Sequence, residues 1–186
     1  EPAAAGAGAW LNTSTYAFTP EKGLGGGLAY TVQLNPALTS TTGGPLQGST
    51  SWTFTTAYPQ LLSASPEAGT AGVRLDVPLI LIFNQPMDRA SVEAHFALKG
   101  PAGDPVPGTF TWNEDDTVLT FAPTALLARS TRYTLALDAE AQARGGTPLG
   151  VALASPLSTH GPLRLIATDP VQGGTTSYIY AAPSLT

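Results

Sequence analysis

Cysteine is absent from the 186-residue chain, histidine occurs twice and methionine once. Without cysteine there is no disulfide, no thiolate nucleophile and no thiolate zinc site, although disulfide-free secreted proteins and cytosolic ones both fit that absence. Charge is scarce as well: charged residues are 11% of the chain, with 8 Lys and Arg against 13 Asp and Glu, for a net charge of −5. No basic surface is available to neutralise phosphates, which argues against nucleic acid and anionic membrane surfaces as partners. No apolar run approaches the roughly 18 residues that a membrane-spanning helix needs. The opening EPAAAGAGA lacks the basic start and leucine-rich middle of a secretion signal, and its first residue is Glu rather than Met. A segment cut from a longer protein is the expectation.

Turn formers are what the chain has in quantity, with Gly 20 and Pro 17 among short apolar runs, the composition of an all-β protein. Its strongest organisation is an internal repeat. LTFAPTALLARSTRYTLAL, Leu119 to Leu137, aligns without a gap on YAFTPEKGLGGGLAYTVQL, Tyr16 to Leu34. Phe18 matches Phe121, Pro20 Pro123, Leu24 Leu127, Tyr30 Tyr133 and Leu34 Leu137, each pair 103 positions apart. That period is the length of one β-sandwich domain. Further on, Leu165-Ile166, Asp169-Pro170 and Gly173 follow Leu61-Leu62, Ser65-Pro66 and Gly69 at a spacing of 104. The chain therefore reads as the C-terminal part of a first unit (1–58), a complete unit (59–161) and the N-terminal strands of a third (162–186).

Alternation at period two marks the strands. In the first unit these are a remnant at Ala9 to Leu11, then Thr15 to Phe18, Leu28 to Leu34 with Leu28, Tyr30, Val32 and Leu34 on one face, and Ser49 to Thr56 with Trp52 and Phe54 in phase with a core. In the complete unit, Leu75 to Phe83 carries the run Leu79-Ile80-Leu81-Ile82-Phe83, expected of a strand covered on both faces. Asp88 is placed to cap a short helix ending near Phe96, and Gly100 to Gly108 is loop or edge because of its three prolines. Thr109 to Trp112 and Thr117 to Phe121 flank a polar turn as a hairpin. Ala125 to Ala128 is expected as a helical turn, Thr131 to Leu137 as a strand, Asp138 to Gly150 as a loop with some helical character and Val151 to Ser158 as the closing strand. Ser177 to Leu185 would open the third unit. The large apolar residues of the middle unit contribute roughly 1.5–3 kcal/mol each when fully buried, enough for a core that offsets chain entropy.

Few residues invite a chemical reading. Asn113, Glu114, Asp115 and Asp116 offer oxygens for calcium, but consecutive residues on a tight turn splay apart, and a polar hairpin turn is the competing reading. His95 and His160 fall in a helical turn and a linker; no G-x-S-x-G elbow accompanies them, and two histidines do not make a zinc site. Trp10, Trp52 and Trp112 could stack on a sugar, yet Trp52 and Trp112 are in phase with core positions. Gly25-Gly26-Gly27 follows a strand but lacks the lysine and helix of a phosphate loop, so a chain corner is the reading. Asn12-Thr13-Ser14 matches a glycosylation sequon.

Taken in order, SPEAGTAGVRLDVPLILIFNQPMD, VPGTFTW, TVLTFAPTALLARSTRYTLAL, GTPLG and a closing LSTH resemble the bacterial Ig-like domain found in tandem in surface-layer and other secreted bacterial proteins. The resemblance implies antiparallel Ig-like or fibronectin-like sandwiches in series, at the cell surface or outside the cell, without cofactor or catalysis. Leu127, Thr131 and Tyr133 resemble the corner in which a tyrosine hydroxyl bonds upstream backbone; the first copy, Leu24, Leu28 and Tyr30, departs in carrying Leu28 for Thr131. Phe121, Leu127 and Tyr133, with Phe18, Leu24 and Tyr30, are thus expected as structural residues. The Ala/Pro/Gly-rich style is similar to the N-terminal arm of bacterial alpha-2-macroglobulins, whose Cys-Gly-Glu-Gln thioester cannot lie in this cysteine-free chain. The expected role is a spacer whose partners are neighbouring domains. An adhesion or carbohydrate-binding module with a protein or glycan ligand is the alternative, and strand exchange between molecules is a further expectation from the incomplete outer units.

Overall fold

The computed structural model describes residues 3–21, 23–162, 168–169 and 184–185. Almost all of its regular structure is antiparallel β. Strands β1 (Gly6–Trp10) and β2 (Tyr16–Pro20) form one two-stranded sheet, and β3 (Ala29–Gln33) and β4 (Ser51–Thr55) another. Beyond them, β5 (Leu61–Ser65), β6 (Leu79–Phe83), β8 (Gly108–Trp112) and β9 (Val118–Pro123) make a four-stranded sheet in the order β5-β6-β9-β8. The strands β7 (Phe96–Lys99), β10 (Arg132–Leu137) and β11 (Leu153–Ser158) make a three-stranded sheet in the order β11-β10-β7. A helix, α1 (Arg89–His95), carries the chain from the first of these sheets to the second, its N-cap Asp88 accepting a hydrogen bond from Ser91 N at 3.0 Å. Thr168–Asp169 (β12) pairs with Ser184–Leu185 (β13); the rest of the expected third unit lies outside the described residues.

The two larger sheets close on each other because each turns an apolar face inward. Leu79, Leu81 and Phe83 of β6 and Leu119 and Phe121 of β9 are buried from one side; Leu98, Tyr133, Leu135, Leu137 and Leu157 are buried from the other. Phe96 and Phe121 meet across the layers at 4.8 Å between ring centres, and Phe110 stands edge-on to Phe96 at 5.3 Å. This is a two-layer sandwich.

Several expectations change. The strand expected at Leu75 begins only at Leu79 and is covered on one face: Leu79, Leu81 and Phe83 are buried while Ile82 is exposed, because only one sheet packs on it. Ala125 to Ala128 is a bend rather than a helical turn, with Leu126 71% exposed; Leu127 N instead bonds Leu75 O at 2.8 Å. Asp138 to Gly150 contains no helix, and the closing strand starts at Leu153, past an exposed Val151. Phe18 and Trp52, expected to point into a core, are 50% and 49% exposed. Among the described residues nothing packs over β1–β2 and β3–β4 as the second sheet packs over β9, so correct alternation leaves these rings uncovered.

One loop is built three times. Ser40, Gly100 and Ala143 each donate from N to the oxygen four residues on and accept from N three residues on, so that Leu46, Val106 and Leu149 N reach Leu38, Leu98 and Ala141 O. Each places a glycine (Gly43, Gly103, Gly146) at φ of 82–88°, two residues before a proline that makes a single β-bridge.

Core truncation tests the sandwich. Leu81→Ala is expected to cost about 2–5 kcal/mol in urea denaturation. Leu126→Ala, at an exposed site, should stay within about 0.5 kcal/mol of the parent.

Candidate functional site

The residues that matter most here are corners and their contacts. After β9 the chain bends over the end of the sandwich, and the Tyr133 hydroxyl accepts a hydrogen bond from Ala128 N at 2.9 Å. Thr159, after β11, completes the corner: its hydroxyl donates to Ala128 O at 2.6 Å and accepts from Thr131 N at 3.0 Å. The same bonds recur 103 residues earlier. Gly25 N donates to the Tyr30 hydroxyl at 2.8 Å, the Thr56 hydroxyl donates to Gly25 O at 2.5 Å, and Leu28 N donates to Thr56 Oγ1 at 3.1 Å. The departure of Leu28 from Thr131 is immaterial because the contact uses backbone. Thr56 and Thr159 were not singled out in the sequence, although both sit at the end of matched segments at the repeat spacing.

The first corner is also a junction. Gly25 and Gly26 are buried, and Gly26 N donates to Thr147 Oγ1 at 2.8 Å, which lies in the loop between β10 and β11 of the middle unit. A side chain at Gly26 would meet Ala57 O and the Pro59 ring, and one at Gly145 would run into the Leu24 carbonyl. Pro59, between the two parts, is fully buried, and Asn84 ties the same stretch by accepting from Gln60 N and donating to Tyr58 O, both at 2.9 Å. The expected corner at Gly25-Gly26-Gly27 is therefore where one part of the chain seats against the next. Leu24 is half-buried there and Tyr30 buried.

The acidic turn is organised otherwise than a cation site. Asn113 Oδ1 accepts from Thr117 N and Val118 N, both at 2.9 Å, which shapes the turn and turns that oxygen inward. Asp116, buried at φ 56°, holds Arg89 Nε on Oδ1 at 2.5 Å and Arg144 Nη2 on Oδ2. Both carboxylate oxygens are committed to guanidiniums, and Glu114 and Asp115 face solvent. Among the described residues no three His, Asp or Glu side chains gather to hold a metal. The exposed Arg74–Asp76 pair, at 2.7 Å, draws the Asp76 carboxyl below its usual range through the Arg74 hydrogen bond; exposed pairs of this kind contribute little.

The histidines are apart in role and place. His95 Nδ1 lies 2.7 Å from Ser91 O, closing the last turn of α1, and the His160 ring rests against Gly72. Among the described residues neither imidazole bonds a serine hydroxyl or a carboxylate. Trp112 stacks on Phe83 at 6.3 Å and donates to Glu93 Oε1 at 2.8 Å. Trp10, 59% exposed, stands edge-on to Tyr16.

Two antiparallel sheets with a shared core, a helical crossover and a tyrosine corner define an Ig-like β-sandwich. Residues 57–157, more than half of the chain, match the bacterial Ig-like domain family, and the chain belongs to it. This is a non-catalytic module type that usually occurs in extracellular or surface proteins. No helix among the described residues is long and apolar enough to cross a membrane.

Solved structures with similar backbones include Mycobacterium tuberculosis L,D-transpeptidase 1, at 22% identity and a TM-score of 0.38, over 55% of this chain and 39% of that one. An L,D-transpeptidase from Mycobacterium smegmatis matches at 21% and 0.41, over 55% and 40%. Escherichia coli alpha-2-macroglobulin spanning domains MG0-NIE-MG1 matches at 14% and 0.42, over 56% and 32%. The chain thus spans about two-fifths or less of the length of these structures. No curated protein matches the chain.

The corner hydroxyls set a measurable stability. Tyr133→Phe leaves Ala128 N without its partner and is expected to destabilise the middle unit by about 1–3 kcal/mol, as is Thr159→Val. Urea midpoints unchanged in both variants would show that the corner is held by packing alone.

Proposed function

We propose that the chain is a spacer segment of a larger secreted or cell-surface bacterial protein, in which Ig-like units follow one another at fixed orientation. The observation that carries this reading is the junction, where Gly26 and Thr147 bond directly and Gly145 admits the Leu24 carbonyl at a distance no side chain would allow. A spacer has to transmit position, and a seated corner does so where a flexible linker would not. The polar chemistry around the middle unit is consumed in holding structure, as Asp116 with its two arginines illustrates. Within this reading the parent is of the alpha-2-macroglobulin kind, a proposal resting on the Ala/Pro/Gly-rich style of the chain.

Gly26→Val and Gly145→Val test the spacer reading. Each is expected to broaden the distance distribution in small-angle X-ray scattering, while the urea midpoint of the middle unit stays in place. Distributions identical to the parent's in both variants would mean that orientation is not set here.

A second reading, a carbohydrate-binding or adhesion module, draws on the exposed Trp10–Tyr16 pair, whose rings meet at 5.2 Å. It requires glycan-array binding that disappears in Trp10→Ala. A flat response across glycans would count against it.

A further inference from the structure

The first four strands reproduce the last four of the middle sandwich pair by pair. Gly6 pairs with Pro20 and Trp10 with Tyr16 as Gly108 pairs with Pro123 and Trp112 with Leu119, the first turn being one residue shorter. Tyr30 pairs with Phe54 as Tyr133 pairs with Leu157. The surroundings differ. In the middle unit β9 is joined along its other edge by β6, with Phe121 opposite Leu79 and Leu119 opposite Leu81. Likewise β10 is joined by β7, with Leu137 opposite Phe96. The outer edge of β11 takes Gly69 N on Pro156 O at 2.7 Å and Val73 N on Ser158 O at 2.9 Å. Among the described residues β1–β2 and β3–β4 remain two-stranded sheets. The exposed Tyr16, Phe18 and Phe54 stand where Leu119, Phe121 and Leu157 are buried.

We propose that β1–β4 are the back half of another Ig-like sandwich, and that its open face and edges take a front half with the chemistry of residues 60–107. That front half is a β-hairpin-like strand pair, a short helix and a strand, supplied from the same polypeptide immediately before β1. Chain path argues for the same polypeptide. Glu21 N bonds Ala5 O at 2.9 Å as Thr124 N bonds Pro107 O at 3.1 Å, so the backbone enters β1 from the place where, in the middle unit, it leaves the front half for β8. The apolar residues are those a β6-like strand covers, and the edges left unpaired among the described residues are those that β6, β7 and the 69–73 stretch fill in the middle unit. The inference does not depend on the spacer role, and it would cover the exposed Trp10–Tyr16 pair on which the carbohydrate-binding reading draws.

The test grafts the chain's own front half. Residues 60–107 are fused directly before Gly6, in place of residues 1–5, in a Trp112→Phe background that leaves Trp10 and Trp52 as reporters. Closure predicts a blue-shifted emission and a several-fold drop in acrylamide quenching relative to the ungrafted chain in the same background, with both proteins monomeric by light scattering. It also predicts that Phe18→Ala leaves the melting temperature of the ungrafted chain unchanged but lowers that of the graft. Equal quenching in a folded, monomeric graft would overturn the proposal. Should the graft fail to fold, a synthetic peptide of residues 60–107 added to the ungrafted chain provides the same reading. Saturable protection of Trp10 and Trp52, lost in Phe18→Asp, supports the proposal, and no protection overturns it. A rise of Trp protection together with mass as the ungrafted chain is concentrated would identify a second copy as the occupant and overturn it too.

Discussion

An apolar sheet face has to be covered by a second sheet, and the contact of Phe96 with Phe121 at 4.8 Å is where the middle unit meets that requirement. Phe96 is brought there by α1, which ends at His95 and hands the chain to β7 without a loop. Because the helix starts from an aspartate cap at one sheet and finishes at the edge of the other, the crossover and the core are one construction. Val92, fully buried on the helix, and Met87, buried just before it, extend the apolar interior to the end of the sandwich. Above them, Asp116 draws Arg89 from the helix and Arg144 from the loop before β11 onto one buried carboxylate. Charge is thus spent on closing the end of the core rather than on a ligand.

The tyrosine corner obeys a different logic. Its bonds are identical in kind at Tyr133, which sits in a closed sandwich, and at Tyr30, whose sheet no second sheet covers among the described residues. A structure that persists when its tertiary surroundings change is locally determined: five residues separate hydroxyl from amide, and a threonine supplied by the following strand secures the other side. Sandwich closure, by contrast, depends on strands far away in sequence. Local corner and long-range closure are separable layers of the fold, and among the described residues the first segment displays one without the other.

That separation explains what could be read from the residues. The 103-position repeat, the hairpins, the aspartate cap and the family resemblance are local or periodic features, and local chemistry specifies them. Period-two alternation states which face of a strand would be buried; it is silent on whether a partner sheet is present. Phe18 and Phe121 therefore look alike in sequence and differ from 50% to 3% exposure in the structure. Thr147, Gly145 and Arg144 escaped notice for another reason. Their partners, Gly26, Leu24 and Asp116, lie between 28 and 121 residues away, so no single motif or repeat copy contains both ends of a contact. Likewise, nothing near Asn113 to Asp116 in sequence shows that Arg89 and Arg144 take both carboxylate oxygens of Asp116 into an ion-pair network.

The junction shows how a repeated corner can take on unequal duties. Gly25, Gly26 and Gly27 of the first corner correspond to Ala128, Arg129 and Ser130 of the second. The backbone bend is preserved, since Gly27 and Ser130 share a left-handed φ of 66° and 50°. What changes is the middle position. Gly26 lets Thr147 reach the backbone, whereas Arg129 carries a long side chain that turns to Gly161 O at 3.3 Å. The second corner thus carries a guanidinium at the place where the first offers bare backbone. The hydrogen bonds that make the corner are therefore common to both copies, while the residue at its apex differs: Gly26 gives its backbone to Thr147, and Arg129 sends its side chain to Gly161 O.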